Sequence, residues 1–481
     1  MTARRPCPPA PGPLEAYAAV FDDLLGHVAQ CRGFRAYLQG LLLPHDRLKT
    51  LTGLAGAEPL VQAQAAEVQR LQFFLSESGW DAEALNARRL ELLLQDPATR
   101  SHVHGILVLD DTGDRKKGSH TPHVGRQSLG SVGKVDNGIV AVSSLWADER
   151  VYYPLHVVPF TPGRWFPKGD KDPAYRTKPQ LAVQLVDAAL AAGVRFRAVV
   201  ADCGYGESTA LEEALWTADV PYVLALRPSK GTWAPIDQLH TPEEAARAVR
   251  WRGPAKPGGW TPIERTFRDG HTETWWAADL SLGGYGPDRR VRLIVATTDP
   301  VALPAVSTWY LATNLPRPGS PYATEGRPAP ADLAEVVRLY GLRNWVEHGY
   351  KQVKDELGWA DFMVRSDRAI RRHWILVCCA FSFCWRTWFH DPPASEPPGA
   401  PARADTVAGR GKKMRRAHPT ATPVLAGGAA AGARMAGPMD LPPPLLESLV
   451  GAGTTTARPA TAAGRRRRRP TTVPLPPGVT K

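Results

Sequence analysis

The strongest constraint on the fold is an ordered series of short apolar runs between residues 104 and 226. HGILVLDD opens it and ends in two carboxylates, Asp110 and Asp111. After a loop rich in Gly, Lys and His, VDNGIVAVSSLWA and RVYYPLHVV have the composition of strands. KPQLAVQLVDAALAAGV follows with helical spacing, Thr177 as its N-cap and Pro179 just inside. RAVVADCGYGES is a strand ending in Asp202, and the helix STALEEALWTA and the strand PYVLAL complete the series. The order β-β-β-α-β-α-β predicts an α/β fold with a mixed sheet.

That order is the layout of the ribonuclease-H-like fold, expected here over residues 99–390. Residues 228–315 interrupt it. TPIERTFRDGHTETWWAADL has a hairpin pattern around Asp269-Gly270, and VRLIVATT and STWYLAT are further strands, so a β-rich insertion is expected. Residues 15–98 read as helical and predict a helical N-terminal domain that could bind DNA, although small bundles do many jobs. Residues 1–14 and 391–481 are expected to be disordered. The latter are rich in Pro, Ala, Gly and Thr and cannot bury enough apolar surface to offset the entropy of ordering.

Charge is concentrated at that end. The formal net charge is +12, and residues 391–481 hold 14 Lys and Arg against 5 Asp and Glu, a net of +9. The preceding 390 residues thus carry about +3, which leaves room for a local basic groove but not for a uniformly basic body. The six cysteines form no CxxC pair, which argues against a disulfide framework and a zinc site. His102, His104, His120 and His123 have neither cysteine partners nor helical spacing to change that. MTARRPCPPAPGP has no apolar core of a secretory signal, and WILVCCAFSFCW (374–385) is too short to span a bilayer. A cytoplasmic, nucleoid-associated protein with no membrane partner is the expectation.

YGLRNWVEHGYKQVKDELG, residues 340–358, predicts one helix with two stripes. Tyr340, Arg343, Glu347, Lys351 and Lys354 share a polar line, while Val346, Tyr350, Val353 and Leu357 share an apolar one, and Gly358 ends the helix. Taken alone, the polar line is a solvated helix face. Combined with two strand-end acids it becomes a candidate site, because strand ends in α/β sheets expose groups that the sheet holds rigid. Carboxylates from Asp110 or Asp111, Asp202 and Glu347 could hold two divalent cations, Mg²⁺ or Mn²⁺, for phosphodiester chemistry. Successive strand residues point to opposite faces, so Asp110 and Asp111 cannot share one role.

These blocks resemble the bacterial insertion-sequence transposases of the DDE superfamily. The resemblance runs from about residue 15 to about residue 410. It rests on WDAEALNARR, LVLDDTGDRKKGSHTPHVGRQSLGSVGKVDN, TKPQLAVQLVDAALAAGV, VVADCGYGES and a Tyr-Arg-Glu-Lys helix pattern at residues 340, 343, 347 and 354. It implies a catalytic, metal-holding set of Asp111, Asp202 and Glu347, because the family's first acid stands directly before Thr. It also implies DNA contacts from Tyr340, Arg343 and Lys354. The activity implied is binding of terminal inverted repeats, metal-dependent strand cleavage and transfer of the freed 3′-hydroxyl to target DNA, by a homodimer on double-stranded DNA. Some relatives pass through a DNA hairpin with a base flipped onto aromatic residues. Trp233, Trp260, Trp275 and Trp276 are candidates for that contact, or else ordinary core residues.

Lys116, Lys117, Arg126 and Lys134 lie among glycines just after the first acid pair and are expected to grip DNA phosphates. The tail departs from the family. Read one nucleotide along, GC-rich codons for PTATPVLAGGAAAGARMAGPMDLPPPLLESLVG can spell a Trp-rich segment of the family's kind. A frameshift near residues 410–419 is therefore expected, and stop codons or unrelated residues in that frame of the gene would overturn it. Two alternatives remain: another nuclease on the same fold, and an inactive or repurposed copy that only binds DNA.

Overall fold

The computed structural model describes residues 12–390, apart from 45–46, 60–61, 131–132, 233–237, 268–269 and 325–327. The tail with its arginine run and expected frameshift, Trp233, Asp269 and most of the segment 1–14 lie outside the described residues.

Five helices come first: α1 (Pro13–Ala19), α2 (Val28–Leu42), α3 (Leu51–Leu54), α4 (Ala66–Ser76) and α5 (Ala82–Gln95). Phe34, Tyr37, Leu38 and Leu41 of α2 are buried at the three-and-four spacing of one helix face. That face packs on the last helix, α12 (Asp367–His390). Tyr17 Oη donates to the Cys379 carbonyl at 3.1 Å, and Tyr37 Oη lies 2.8 Å from His373 Nδ1. Residues 374–385 of α12 are buried throughout, as their composition predicts, and among the described residues no helix is long and apolar enough to cross a membrane. The buried Arg89 of α5 is fully engaged. Its guanidinium donates to Asn86 Oδ1, Ser382 Oγ and the carbonyls of Pro154 and Leu155, which is the condition for burying such a cation.

The sheet begins with β1 (Ile106–Arg115), β2 (Gly125–Leu129), β3 (Lys134–Ala147) and β4 (Tyr152–Phe160). Then come α6 (Lys178–Ala191), β5 (Ala198–Ala201), α7 (Cys203–Gly206), α8 (Thr209–Thr217) and β6 (Tyr222–Leu226). In space the order is β4-β3-β1-β5-β6. The first three strands are antiparallel, and β5 and β6 run parallel to β1. This is the ribonuclease-H-like arrangement. Thr177 caps α6 through a full capping box with Gln180.

The insertion adds α9 (Pro242–Ala248), β7 (Thr261–Thr266), β8 (Thr272–Leu280), β9 (Arg292–Thr297) and β10 (Thr308–Thr313). Its strands do not form a separate sheet. β10 pairs antiparallel with β6, and the order continues β9-β8-β7, giving one sheet of ten strands among the described residues. Trp260 and Trp275 are buried, and Trp276 packs edge-on against Trp251 with ring centres 4.7 Å apart, so these three serve as packing residues.

Three local expectations need correction. β1 does not end at Asp110 and Asp111 but runs four residues further, because β3 continues to pair with it as far as Arg115. The glycine-rich loop after it contains β2, which pairs with the start of β3. The expected helix 340–358 is two helices, α10 (Leu333–Gly341) and α11 (Asn344–Asp355). At the junction Arg343, Trp345 and Val346 donate to carbonyls only three residues back, a tightened turn that breaks the α-helical ladder. The apolar stripe survives, with Val346, Val353 and Leu357 buried, and Gly358 turns the chain at φ 67°.

Candidate active site

The site forms where pairing between β1 and β5 stops. The last pair in register is Leu109 with Ala201, so Asp110 and Asp202 are the next residues on two parallel neighbours. Residues level with each other on paired strands project to the same face. Beyond that point the chain of β5 turns into α7, whose first turn is capped by Asp202, with Oδ1 accepting from Gly204 N–H at 2.9 Å. α11 lies over this face. Its Tyr350 hydroxyl lies 2.7 Å from Ser143 Oγ, and Ser143 is the β3 residue level with Asp110.

The junction between α10 and α11 delivers Arg343 into the gap. Its Nη2 stands 2.9 Å from Asp110 Oδ2 and 3.7 Å from Asp202 Oδ2, while Nη1 stands 3.6 Å from Glu347 Oε1. Arg343 and Asp110 are both nearly enclosed, with side chains 14% and 13% exposed, whereas Glu347 is 70% exposed. Burial pushes the Asp110 carboxyl up to about 7 against the opposing pull of Arg343, and the Asp202 charge adds to the rise. Asp110 Oδ1 also accepts the Asp111 N–H at 2.7 Å.

Asp111 is not part of this group. Its Oδ2 lies 3.1 Å from Lys178 Nζ, at the start of α6, and accepts the Tyr205 hydroxyl at 3.2 Å. The structure thus brings Asp202, Glu347 and Asp110 around Arg343, whereas the expected carboxylate set has Asp111 and places Arg343 against DNA.

The remaining site residues divide clearly. Lys354 lies 2.7 Å from Asp114 Oδ1, and Asp114 is on the same face of β1 as Asp110, four residues on. Tyr340 is buried and packs edge-on against Trp309, whose ring sits 4.4 Å from that of Trp275, so it joins the helix to the insertion. Lys116 is turned inward. Its Nζ donates to the carbonyls of Ala360 and Phe362 at 2.7 and 3.1 Å and lies 3.6 Å from the centre of the Phe362 ring. Burial brings its pKa down to about 8. Lys117, Arg126 and Lys134 are exposed, on and beside the β2–β3 hairpin. His123 pairs with Asp367 at 2.8 Å and His102 with Asp148 at 3.0 Å.

The donor set has the right chemistry for Mg²⁺ or Mn²⁺, since all donors are hard carboxylate oxygens converging on one cationic position. The cation they share is a guanidinium, and no three acidic, His or Cys groups among the described residues stand at metal-holding spacing. An ion between the carboxylates therefore requires Arg343 to turn aside.

Sequence reasoning misses Lys178, Tyr205 and Asp114, and it names Asp111 where the structure brings Asp110 beside Arg343. The period of two along β1 was available to group Asp110 with Asp114. Nothing local in the sequence announced Lys178 as a partner of β1, because that contact depends on how α6 crosses the sheet.

Comparison with known proteins shows the family. Residues 20–279 match the family described as DDE superfamily endonuclease. The chain is also 33% identical over 369 residues to a probable transposase for insertion sequence element IS701 from Microchaete diplosiphon, an alignment covering 75% of this chain and 84% of that relative.

Proposed function

The chain belongs to the insertion-sequence transposases of the DDE superfamily of endonucleases, and from that premise we propose that it binds the terminal inverted repeats of its own element, cuts the DNA there and joins the freed ends to target DNA. The convergence of Asp110, Asp202 and Glu347 on one cationic position carries this reading. Asp202, Glu347 and one member of the Asp110–Asp111 pair would hold Mg²⁺ or Mn²⁺, two ions in the full site. Such ions, when bound, supply the Lewis acidity that eases proton loss from the attacking water and stabilises the leaving oxygen.

Water adds at the scissile phosphorus, the P–O3′ bond breaks, and the element is left with a 3′-hydroxyl while the flank keeps the phosphate. In the second displacement that hydroxyl attacks a target phosphorus and a new P–O3′ bond joins element to target. The target's own P–O3′ bond breaks to release a target 3′-hydroxyl, so no oxidant or further co-reactant is needed. Arg343, once turned from the carboxylates, and Lys354 would neutralise phosphate charge beside the scissile bond. Lys117, Arg126 and Lys134 would hold the duplex at a distance from the chemistry. The helical segment 15–98 is the candidate for recognising the ends, and two copies would pair them.

The test is cleavage of a labelled duplex carrying the element's ends, read from DNA flanking the gene, with Mg²⁺, Mn²⁺ or EDTA. Metal-dependent nicking at the element boundary is the expected result. Binding without cutting in either metal would replace this reading with that of an inactive, DNA-binding copy.

A further inference from the structure

We propose that Asp110, and not Asp111, is the strand-borne acid that faces the ion, and that Asp111 is the counter-ion of Lys178 on the opposite side of β1. This deepens the reading above and rests on it.

Three observations, each independent of the others, point the same way. The first is register: Leu109 pairs with Ala201, so Asp110 is level with Asp202 on a parallel neighbour, and level residues share a face. The second is the helix that covers that face. Ser143, opposite Asp110 on β3, is hydrogen-bonded to Tyr350 of α11, the helix that carries Glu347. The third is charge: Arg343 reaches Asp110, Asp202 and Glu347 together, with distances of 2.9, 3.7 and 3.6 Å. Asp111 makes no ion pair with Arg343, which takes its carboxylates from Asp110, Asp202 and Glu347. Its carboxylate is taken by Lys178 and Tyr205, from α6 and α7. The Thr that follows Asp111 is buried in the strand and offers the ion no separate reason to prefer Asp111.

Ion binding and stability separate the two acids. Full-length wild type, Asp110→Asn, Asp111→Asn and Asp202→Asn are titrated with Mn²⁺, followed by electron paramagnetic resonance, and each variant's thermal unfolding is recorded alongside. Asp110→Asn and Asp202→Asn are expected to weaken Mn²⁺ binding on the order of 10- to 100-fold. Asp111→Asn is expected to bind Mn²⁺ as wild type does while unfolding at a lower temperature. An Asp110→Cys variant provides a second readout. A thiolate at an ion-facing position should gain Cd²⁺ binding that the wild type lacks, because a soft ligand has replaced a hard one. A purely structural position would show no such gain, even if the variant were less stable.

Loss of Mn²⁺ binding in Asp111→Asn with retention in Asp110→Asn would overturn the assignment and leave the transposase reading intact. A Cd²⁺ site created at Asp111→Cys and not at Asp110→Cys would do the same. If wild type bound no Mn²⁺ and cut no element ends, the metal-dependent reading itself would fall, and this proposal with it.

Discussion

Arg343 Nη2 and Asp110 Oδ2 lie 2.9 Å apart in a nearly enclosed gap, so a guanidinium supplies the positive charge that this group of carboxylates requires. The same side chain would be needed elsewhere once an ion and DNA arrive. Arg343 is therefore expected to compete with the ion before it assists the reaction. Replacing it by Met keeps the aliphatic stem and removes the charge. Without metal the variant should be destabilised only modestly, because the Asp110 carboxyl, already raised to about 7, rises further and takes up a proton in place of the lost partner. With Mn²⁺ the deficit should shrink, and Mn²⁺ should bind more tightly than to wild type, while cleavage falls. Thermal unfolding with and without Mn²⁺ measures this, and an unchanged Mn²⁺ affinity would refute the competition.

The lysines that follow the acid pair should behave unlike one another. Lys116 is hydrogen-bonded to two carbonyls and packed on Phe362, so Lys116→Ala should lower the unfolding temperature and leave the salt dependence of DNA binding unchanged. Lys117, Arg126 and Lys134 are exposed, and their removal should weaken binding with little effect on folding. Removing one cation that neutralises a phosphate should reduce the slope of log affinity against log salt by about 0.9. Affinity measured over a range of salt concentrations distinguishes the two behaviours, and a reduced slope in Lys116→Ala would return that residue to the DNA interface.

Sequence carried the fold further than it carried the site. Strand and helix order, the cap at Thr177 and the burial of residues 374–385 follow from local pattern, and the ribonuclease-H-like sheet follows from their order. The break at Arg343 was hidden because the stripe around it satisfies helical spacing on both sides. β2 was hidden because its residues are small and polar and gain their order from pairing with β3. The choice between Asp110 and Asp111 depends on register with β5, a relation between segments about ninety residues apart that no local pattern encodes. Lys116 sits in a basic, glycine-rich loop that looks solvated, and only the fold reveals the two carbonyls it serves.

A buried histidine, His373, and a half-buried one, His156, give the protein an acid-sensitive core. Burial brings His373 down to about 4, and His156 likewise. In the unfolded chain each would titrate near about 6.5. Between those values the unfolded chain binds protons that the folded one does not, so stability falls as pH drops from about 6.5 to about 4. The contribution is on the order of 3 kcal/mol for each group. Urea unfolding at pH 7 and pH 5 should show the loss, and His373→Gln should reduce it by about one proton's worth of slope. Asp110, whose carboxyl is raised to about 7, opposes this by gaining stability over the same fall in pH. The decisive comparison is therefore between variants: an equal change from pH 7 to pH 5 in wild type and His373→Gln would contradict this account.

Asp202 offers the cleanest separation of chemistry from binding. It caps α7 through Oδ1 and faces the gap with Oδ2, which lies 3.7 Å from Arg343. Asn caps helices about as well as Asp, so Asp202→Asn keeps the local turn while removing one negative charge from the ion's surroundings. Cleavage of the element's ends should fall to background, whereas binding of those ends should hold or tighten, since the DNA meets one repelling charge fewer. Glu347→Gln should give the same pattern from the other side of the gap, with still less effect on folding because its side chain is largely exposed. A gel-shift titration and a cleavage assay on the same preparation report both properties. Unchanged cleavage in Asp202→Asn would remove it from the catalytic set, and joint loss of binding and cleavage would assign Asp202 to the architecture of α7 instead.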